Sequence, residues 1–534
     1  MKDKKSLINS HIFLYMTEFF SGMAVMAVEL GASRLLAPYF SSSQIVWTII
    51  IGTIMIAMAL GNIYGGKKAD ENPDPDRLYS RVLVAAVWIA AIPFAGRFII
   101  IMIAGLLAVT VRTGFLVWAA FLSCMIIFVY PLFLLGTVTP SLVKYTTDSL
   151  ENNAEVVGRL GAMNTIGSII GTFLPTFVTI PAVGTAVTFI IFSGILLALG
   201  IFYFLSKRAG IKKSVISLAL FIILTILGST GRFAFWEKDL KYEGESIYNY
   251  LQVKDYPDRT ILSTNVLFGV QSVAMKTDDL TGMYYDYALA APVMADFKEK
   301  ESPSLLVLGM GTGTFVKQTK KYFPGTQVTG VEIDEKITSL AHTYFDLPEE
   351  IPVATYDGRA YLQGTDETYD CIMVDAYQDI TIPFQMSSKE FFTEVKDHLN
   401  PGGIMVVNLN MHSDRAGSIN EGLTDTIAAV FPFVETVDVK GNTNRELFAS
   451  ADTDLSAALN ANAAGIDDSQ LSAMMTTVQE GIGVPETKGQ VFTDDKAPVE
   501  LLGMRMIDDL ISDELTYYKK ILKEEGIQGL LKQI

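Results

Sequence analysis

Eight apolar runs fill the first 230 residues of the chain, and a soluble core has no room for so much consecutive hydrocarbon. They fall at about residues 10–35, 44–66, 78–95, 98–112, 115–139, 158–180, 184–206 and 214–230. Most reach the ~20 residues that a helix needs to cross a bilayer. The 98–112 run is short enough to be re-entrant, which leaves seven or eight spans. The first run contains Glu18 and Glu29 with no small-residue cleavage site behind it, and is expected to be a span rather than a removable leader.

Charge separates the chain into two parts. Residues 1–230 carry 16 Lys and Arg against 10 Asp and Glu, and the remainder 25 against 48, so a +6 segment precedes a −23 one. An acidic domain repels nucleic acid, which is not expected as a partner, while the apolar part makes the lipid bilayer one. Two cysteines (Cys124, Cys371) and four scattered histidines offer neither a disulfide framework nor metal-ligand spacing, so no metal is expected.

The basic segments "MKDKK" and "GGKKADENPDPDR" are two spans apart, which puts both in the cytoplasm. Eight spans return the acidic part to the cytoplasm but misplace the cluster Lys207, Arg208, Lys212 and Lys213. Seven spans satisfy that cluster and send the acidic part out. Eight are preferred here, because a domain using a cellular nucleoside must meet it. The expected location is the plasma membrane, with the soluble part in the cytoplasm.

The pattern changes near Gly231 to Phe235, giving a helical membrane domain over 1–232 and a second domain over 233–534. Alternating residues broken by "YPDR" and "STN" predict a small β unit at about 240–280. From about 300 to 450, strands alternate with helices: "SLLVLG", "QVTGVEID", "PVATYD", "YDCIMVDAY" and "GGIMVVNLN" read as five strands of a doubly wound, Rossmann-like parallel sheet. An Ala-rich segment and a last amphipathic stretch predict a helical C-terminal tail.

"GMGTG" follows the first of these strands. Three alternate glycines there let a ligand approach backbone amides at a helix N-terminus. Glu332 ends the second strand, where a carboxylate can accept both ribose hydroxyls. Asp357, beside Gly358 in "DGRAYL", follows the third strand, and Asp375 ends the fourth. Ligands of open α/β sheets bind outside the carboxyl ends of the strands, so these positions describe one crevice.

Those segments resemble the class I adenosylmethionine-dependent fold, and specifically the spermidine synthases, or polyamine aminopropyltransferases. "VLFGVQS" and "MYYDYALAAP" are similar to that family's junction between β unit and helix, and the multi-span first half resembles the membrane-integrated spermidine synthase-like proteins. The resemblance implies a transferase that moves an aminopropyl group from decarboxylated S-adenosylmethionine to putrescine or another polyamine and releases methylthioadenosine. It implies Gly309, Gly311, Thr312 and Gly313 around the donor's tail, Glu332 on ribose, and Asp357 with Gly358 at adenine. It also implies Asp375 and Tyr284 as the catalytic pair, and Gln271, Asp286 and Asp379 on the amine. A second copy of the chain is a candidate partner.

Two departures from the family matter. Thr312 stands where the family has an aspartate that would repel the carboxylate of ordinary S-adenosylmethionine, which leaves both donors open. Asp375 and Asp379 are four residues apart where the family's acids are three apart. A methyltransferase acting near the membrane, or a polyamine transporter with a nucleoside-sensing domain, are the alternative functions. Within the first half, charges at Glu29 and Arg34 cost at least ~2.5 kcal/mol each unless paired or hydrated. Gly167 and Gly171, at helical spacing, favour close helix packing. That half is an anchor or an amine or lipid path.

Overall fold

A computed structural model of the chain describes residues 11–40, 43–111, 114–146, 153–229, 232–266, 270–376, 382–410, 416–507, 509, 521 and 523–524. It divides into two units, one comprising Met1–Glu237 with Gly244–Tyr250 and the other Lys238–Glu243 with Leu251–Ile534.

The first unit is helical: α1 (His11–Phe40), α2 (Gln44–Glu71), α3 (Pro75–Thr110), α4 (Phe115–Ile127), α5 (Val129–Gly136), α6 (Val138–Thr146), α7 (Asn153–Leu174), α8 (Ile180–Lys207) and α9 (Ile211–Ser229). Local chemistry sets its ends. The Ser43 hydroxyl caps α2 by accepting the Val46 amide at 3.3 Å, and Asp74 caps α3 ahead of Pro75, whose fixed φ suits a first turn.

Among the described residues five helical stretches are long and apolar enough to cross a membrane, or six if the α4 to α6 pair, bent by 49°, is one span. That count takes Ala154–Lys207 as one stretch of 54 residues. At 1.5 Å per residue it is ~80 Å long, more than twice the hydrocarbon thickness. Its helix breaks at Gly184 (φ 79°, ψ 169°), which divides it into two membrane lengths and brings the count to seven. α3 runs unbroken through both the third and fourth apolar segments, with Pro93 accommodated inside it, so the described helices supply seven such lengths.

Contacts within this unit sort the helix ends. Lys207 pairs with Asp76 at 2.5 Å, Lys144 with Asp70 at 2.9 Å, and Phe13 stacks on Tyr79. The start of α1, the α2–α3 loop, the end of α6 and the α8–α9 loop therefore share one end. At the other end the Tyr39 hydroxyl donates to the Phe233 carbonyl at 3.4 Å and Arg97 to that of Arg232 at 2.7 Å. Gly167 and Gly171 carry the α1–α7 contact: a Cβ on either would lie 2.0 or 2.1 Å from the Phe19 or Met23 carbonyl oxygen. Arg34 donates to the Ser246 carbonyl at 3.2 Å. Among the described residues of this unit Glu18 is a wholly buried acid, and its Oε1 accepts from Thr139 at 2.6 Å and Asn164 at 2.8 Å.

The second part opens with a four-stranded sheet in chain order, β1 (Leu240–Glu245), β2 (Tyr250–Asp255), β3 (Arg259–Ser263) and β4 (Ser272–Met275). Two short helices follow, α10 (Tyr284–Ala288) and α11 (Ala290–Met294). Then come β5 (Ser304–Leu308), α12 (Thr314–Tyr322), β6 (Gln327–Glu332), α13 (Glu335–Tyr344), β7 (Val353–Thr355), α14 (Gly358–Gly364), β8 (Tyr369–Val374), α15 (Lys389–Asp397), β9 (Leu399–Leu409) and α16 (Ile419–Ala428). β10 (Phe433–Asp438), β11 (Arg445–Ser450), α17 (Leu455–Ala463) and α18 (Ser469–Gly481) complete it.

Seven strands form one sheet in the order β10-β11-β9-β8-β5-β6-β7. The five strands read from sequence are parallel neighbours, whereas β10 and β11 pair antiparallel at one edge, so the sheet is mixed rather than wholly parallel. Its apolar strand residues, among them Leu305, Val307, Met373 and Val406, pack in one buried cluster with side chains of α10, α11, α17 and α18. The last amphipathic stretch, from Asp513 onward, lies almost entirely outside the described residues.

Candidate active site

Parallel pairing of β8, β5, β6 and β7 puts their carboxyl ends side by side, and the loops leaving those ends carry the predicted residues. Between β5 and α12, Gly309, Gly311 and Gly313 take φ values of 83°, 56° and 76°. At Gly309 no other residue fits: a Cβ would lie 2.6 Å from the Ala376 Cα, and its φ is one that side chains disfavour. The Gly311 amide donates to Glu332 Oε2 at 2.9 Å, and Glu332 Oε1 accepts the Asp334 amide at 3.1 Å. Burial nevertheless pushes the Glu332 carboxyl up to about 7, although those amides pull it down.

Thr312 is wholly buried. Its amide faces Ser272 Oγ at 3.4 Å, and its hydroxyl lies 3.4 Å from that of Thr314. Asp357 caps α14, its Oδ1 accepting the Ala360 amide at 2.9 Å, with Gly358 as the first helical residue. One carboxylate oxygen is thereby fixed, which orients the other.

Asp375 follows β8 and is held from two sides. The Tyr284 hydroxyl of α10 donates to Oδ2 at 2.5 Å, and the Asn408 amide of β9 donates to Oδ1 at 2.9 Å. Asp375 keeps a partly exposed edge. The protein packed round it pushes its carboxyl up to about 7; the two donors lower it and the charge of Glu332 raises it. Tyr284 is buried, and its hydroxyl is driven well above its usual range by desolvation and then by Asp375, so it stays a neutral donor. An acid that titrates near neutrality at an accessible strand end can bind an ammonium ion or take a proton from it.

Gln271 lies beside this group through its backbone, its carbonyl accepting the Tyr285 hydroxyl at 2.9 Å. Asp286 has a different task from the amine contact expected of it. It is 1% exposed and accepts from the Thr281 amide and hydroxyl, the Gly282 amide and Gln318 Nε2 at 2.6 to 3.1 Å, so its oxygens are spent tying the loop before α10 to α12. Asp379 lies outside the described residues.

Sequence reasoning missed Asn408 and Asn444. Asn408 accepts the Asn444 amide at 2.8 Å while holding Asp375. The rule used for the acids, a polar residue at a strand's carboxyl end, would have found Asn408 had it not been confined to charged side chains. Among the described residues no group of three His, Cys, Asp or Glu is placed to hold a metal ion.

Residues 285–435 match the spermine/spermidine synthase domain family. The chain is 54% identical over 349 residues to a probable polyamine aminopropyl transferase of Bifidobacterium longum, which covers 62% of this chain and 77% of that protein. It is 27% identical over 139 residues to a polyamine aminopropyltransferase of Chromobacterium violaceum, covering 25% of this chain and about half (52%) of that protein. Among solved structures it is similar to a probable spermidine synthase from Corynebacterium glutamicum, with 20% identity and a TM-score of 0.35 over 46% of this chain and 97% of that one.

Proposed function

The chain belongs to the polyamine aminopropyltransferase family, and from that premise we propose that it moves an aminopropyl group from decarboxylated S-adenosylmethionine to putrescine or a related amine at a membrane. The observation that carries this is the hydrogen-bonded set Tyr284–Asp375–Asn408, an anionic base held by two neutral donors at a strand end. The glycine loop and Glu332 suit the nucleoside: the loop turns at the carboxyl end of β5 through three glycines of positive φ, its Gly311 amide is tied to Glu332, and that buried carboxylate lies where ribose hydroxyls would meet it.

When bound, the sulfonium donor supplies an electrophilic carbon. An alkylamine is protonated at neutral pH, its pKa being about 10.4 as for lysine. Asp375 binds the ammonium, takes its proton, and leaves the nitrogen lone pair free to form the new C–N bond as the C–S bond breaks. Methylthioadenosine is the leaving group. Tyr284 and Asn408 fix both oxygens of Asp375, which orients the amine.

The test is incubation of the detergent-purified protein with decarboxylated S-adenosylmethionine and putrescine. Methylthioadenosine and spermidine are expected. Adenosylhomocysteine formed from ordinary S-adenosylmethionine would replace this reading with a methyltransferase. The neutral, buried Thr312 favours that second reading, because no carboxylate stands at that loop position to turn the ordinary donor away.

Replacing Tyr284 by phenylalanine should lower kcat about tenfold, the scale of one hydrogen bond to a charged group. Because the tyrosine's hydrogen bond lowers the Asp375 carboxyl, its loss raises that pKa. The base works deprotonated, so the rising limb of the pH–rate profile should move upward from about 7. A profile that keeps its midpoint would separate Tyr284 from the base.

For location, an integral membrane protein is proposed. Lys67, Lys68, Arg77, Lys144, Lys207 and Lys213 gather at the end of the helical unit that holds the start of α1, which supports a cytoplasmic setting for that end. Seven crossings then carry the chain to the other side by Ser229, in place of the even count first expected. The demand for a cellular nucleoside then falls on delivery of the donor. Reporters fused after residue 146 and after residue 209 should read the same side, and one fused after Ser229 the opposite; identical readings at all three would defeat this topology.

A further inference from the structure

Glu446 stands directly opposite Asn408 in the antiparallel pairing of β11 with β9. Opposed residues present their side chains on one face of a sheet, so Glu446 leaves the sheet on the face from which Asn408 reaches Asp375. The next pair on that face, Phe448 and Val406, packs in the cluster that also contains Tyr284, Tyr285 and Tyr287. Glu446 is wholly buried, and among the described residues neither of its carboxyl oxygens has a hydrogen-bond partner. Among the described residues it also has no basic partner. Desolvation, and then the charge of Asp375, hold its carboxyl well above the ordinary range.

A carboxyl group without partners inside a protein is destabilising, and a leucine or phenylalanine would fill such a place without that cost. Departures of this kind are expected where a ligand supplies the missing partner. The ligand proposed for the neighbouring Asp375 is a cation. A diamine has two ammonium groups, of which only one is attacked, and the second has to be neutralised nearby.

Resting on the aminopropyl-transfer reading, we propose that Glu446 is the second carboxylate of the acceptor site and receives the ammonium group of the diamine that does not react, while Asp375 holds the one that does. The site would thereby favour diamines over monoamines of equal length.

The experiment compares putrescine with n-butylamine on the full-length wild type, Glu446→Gln and Glu446→Leu, following methylthioadenosine release, with calorimetry of both amines alongside. Glu446→Gln should raise KM and Kd for putrescine at least tenfold and leave those for n-butylamine within about twofold. Glu446→Leu, which fills the same space without a polar group, should behave alike even if the glutamine variant folds poorly, and both should still bind methylthioadenosine as the wild type does. Equal effects on the two amines, or unchanged putrescine affinity in both variants, would overturn the inference. A wild type that releases no methylthioadenosine with any amine would instead overturn the functional reading, and calorimetry of putrescine would still decide the part of Glu446.

Discussion

Asp375→Asn should lower kcat about a thousandfold and leave donor affinity within a few-fold of the wild type. Asparagine keeps the shape of the side chain and one carbonyl oxygen, so the Tyr284 hydroxyl retains an acceptor. It cannot take a proton, and a positioned general base contributes about 10²- to 10⁴-fold. The substituted amide also brings an N–H group toward the Asn408 amide that now donates to Oδ1 at 2.9 Å. Placing donor against donor adds disorder in the amine's seat to the loss of the base. Steady-state release of methylthioadenosine measures the first effect and calorimetric titration with that nucleoside tests the second. If turnover is unchanged, the base lies elsewhere; if nucleoside binding is lost as well, Asp375 belongs to the donor pocket.

The donor side of the site was more legible in the sequence than the amine side, for a physical reason. Gly309, Gly311, Glu332 and Asp357 each follow a strand within a few residues, so the period of the strands alone brings them together. Tyr284 could be paired with Asp375 only through the family resemblance, since the two are 91 residues apart and meet across separate elements. Asn408 and Glu446 depend on the register of β9 with β11, which no local pattern displays. Asp286 misled because an acid two residues from Tyr284 looks available for an amine; only the fold shows that two residues of the preceding turn and Gln318 have already claimed it.

The same limit applies to the helical unit. Apolar runs gave the membrane lengths, but Gly96 and Arg97 part 78–95 from 98–112 in the sequence, whereas α3 runs through both with Pro93 inside it, since a proline in a long helix kinks it without having to end it. The break at Gly184, by contrast, falls where the runs 158–180 and 184–206 already part in the sequence, and its positive φ marks the boundary. The antiparallel edge could have been read from the sequence: "FVETVDVKGNTNRELFAS" alternates on both sides of a Gly- and Asn-rich turn, the signature of a hairpin.

Glu332→Ala should weaken donor binding by about a hundredfold or more. On the proposed reading its carboxylate accepts two ribose hydroxyls, and hydrogen bonds to a charged group contribute about 1.5–3 kcal/mol each. The substitution acts a second time through the loop, since the Gly311 and Asp334 amides lose their acceptor and the glycine turn loses its tie to β6. A pH signature separates this role from simple loosening. Burial holds the Glu332 carboxyl near 7 in the free protein, and ribose hydroxyls favour the carboxylate, so wild-type donor affinity should fall as pH drops below about 7. Alanine has nothing to titrate, and its weaker affinity should lose that part of the slope. Because Asp375 titrates in the same range, the Asp375→Asn protein is the reference: its affinity should keep the slope that Glu332→Ala removes. If both variants retain it, the donor is gripped by some other acid, and the crevice at the ends of β5, β6 and β8 does not bind the nucleoside as drawn.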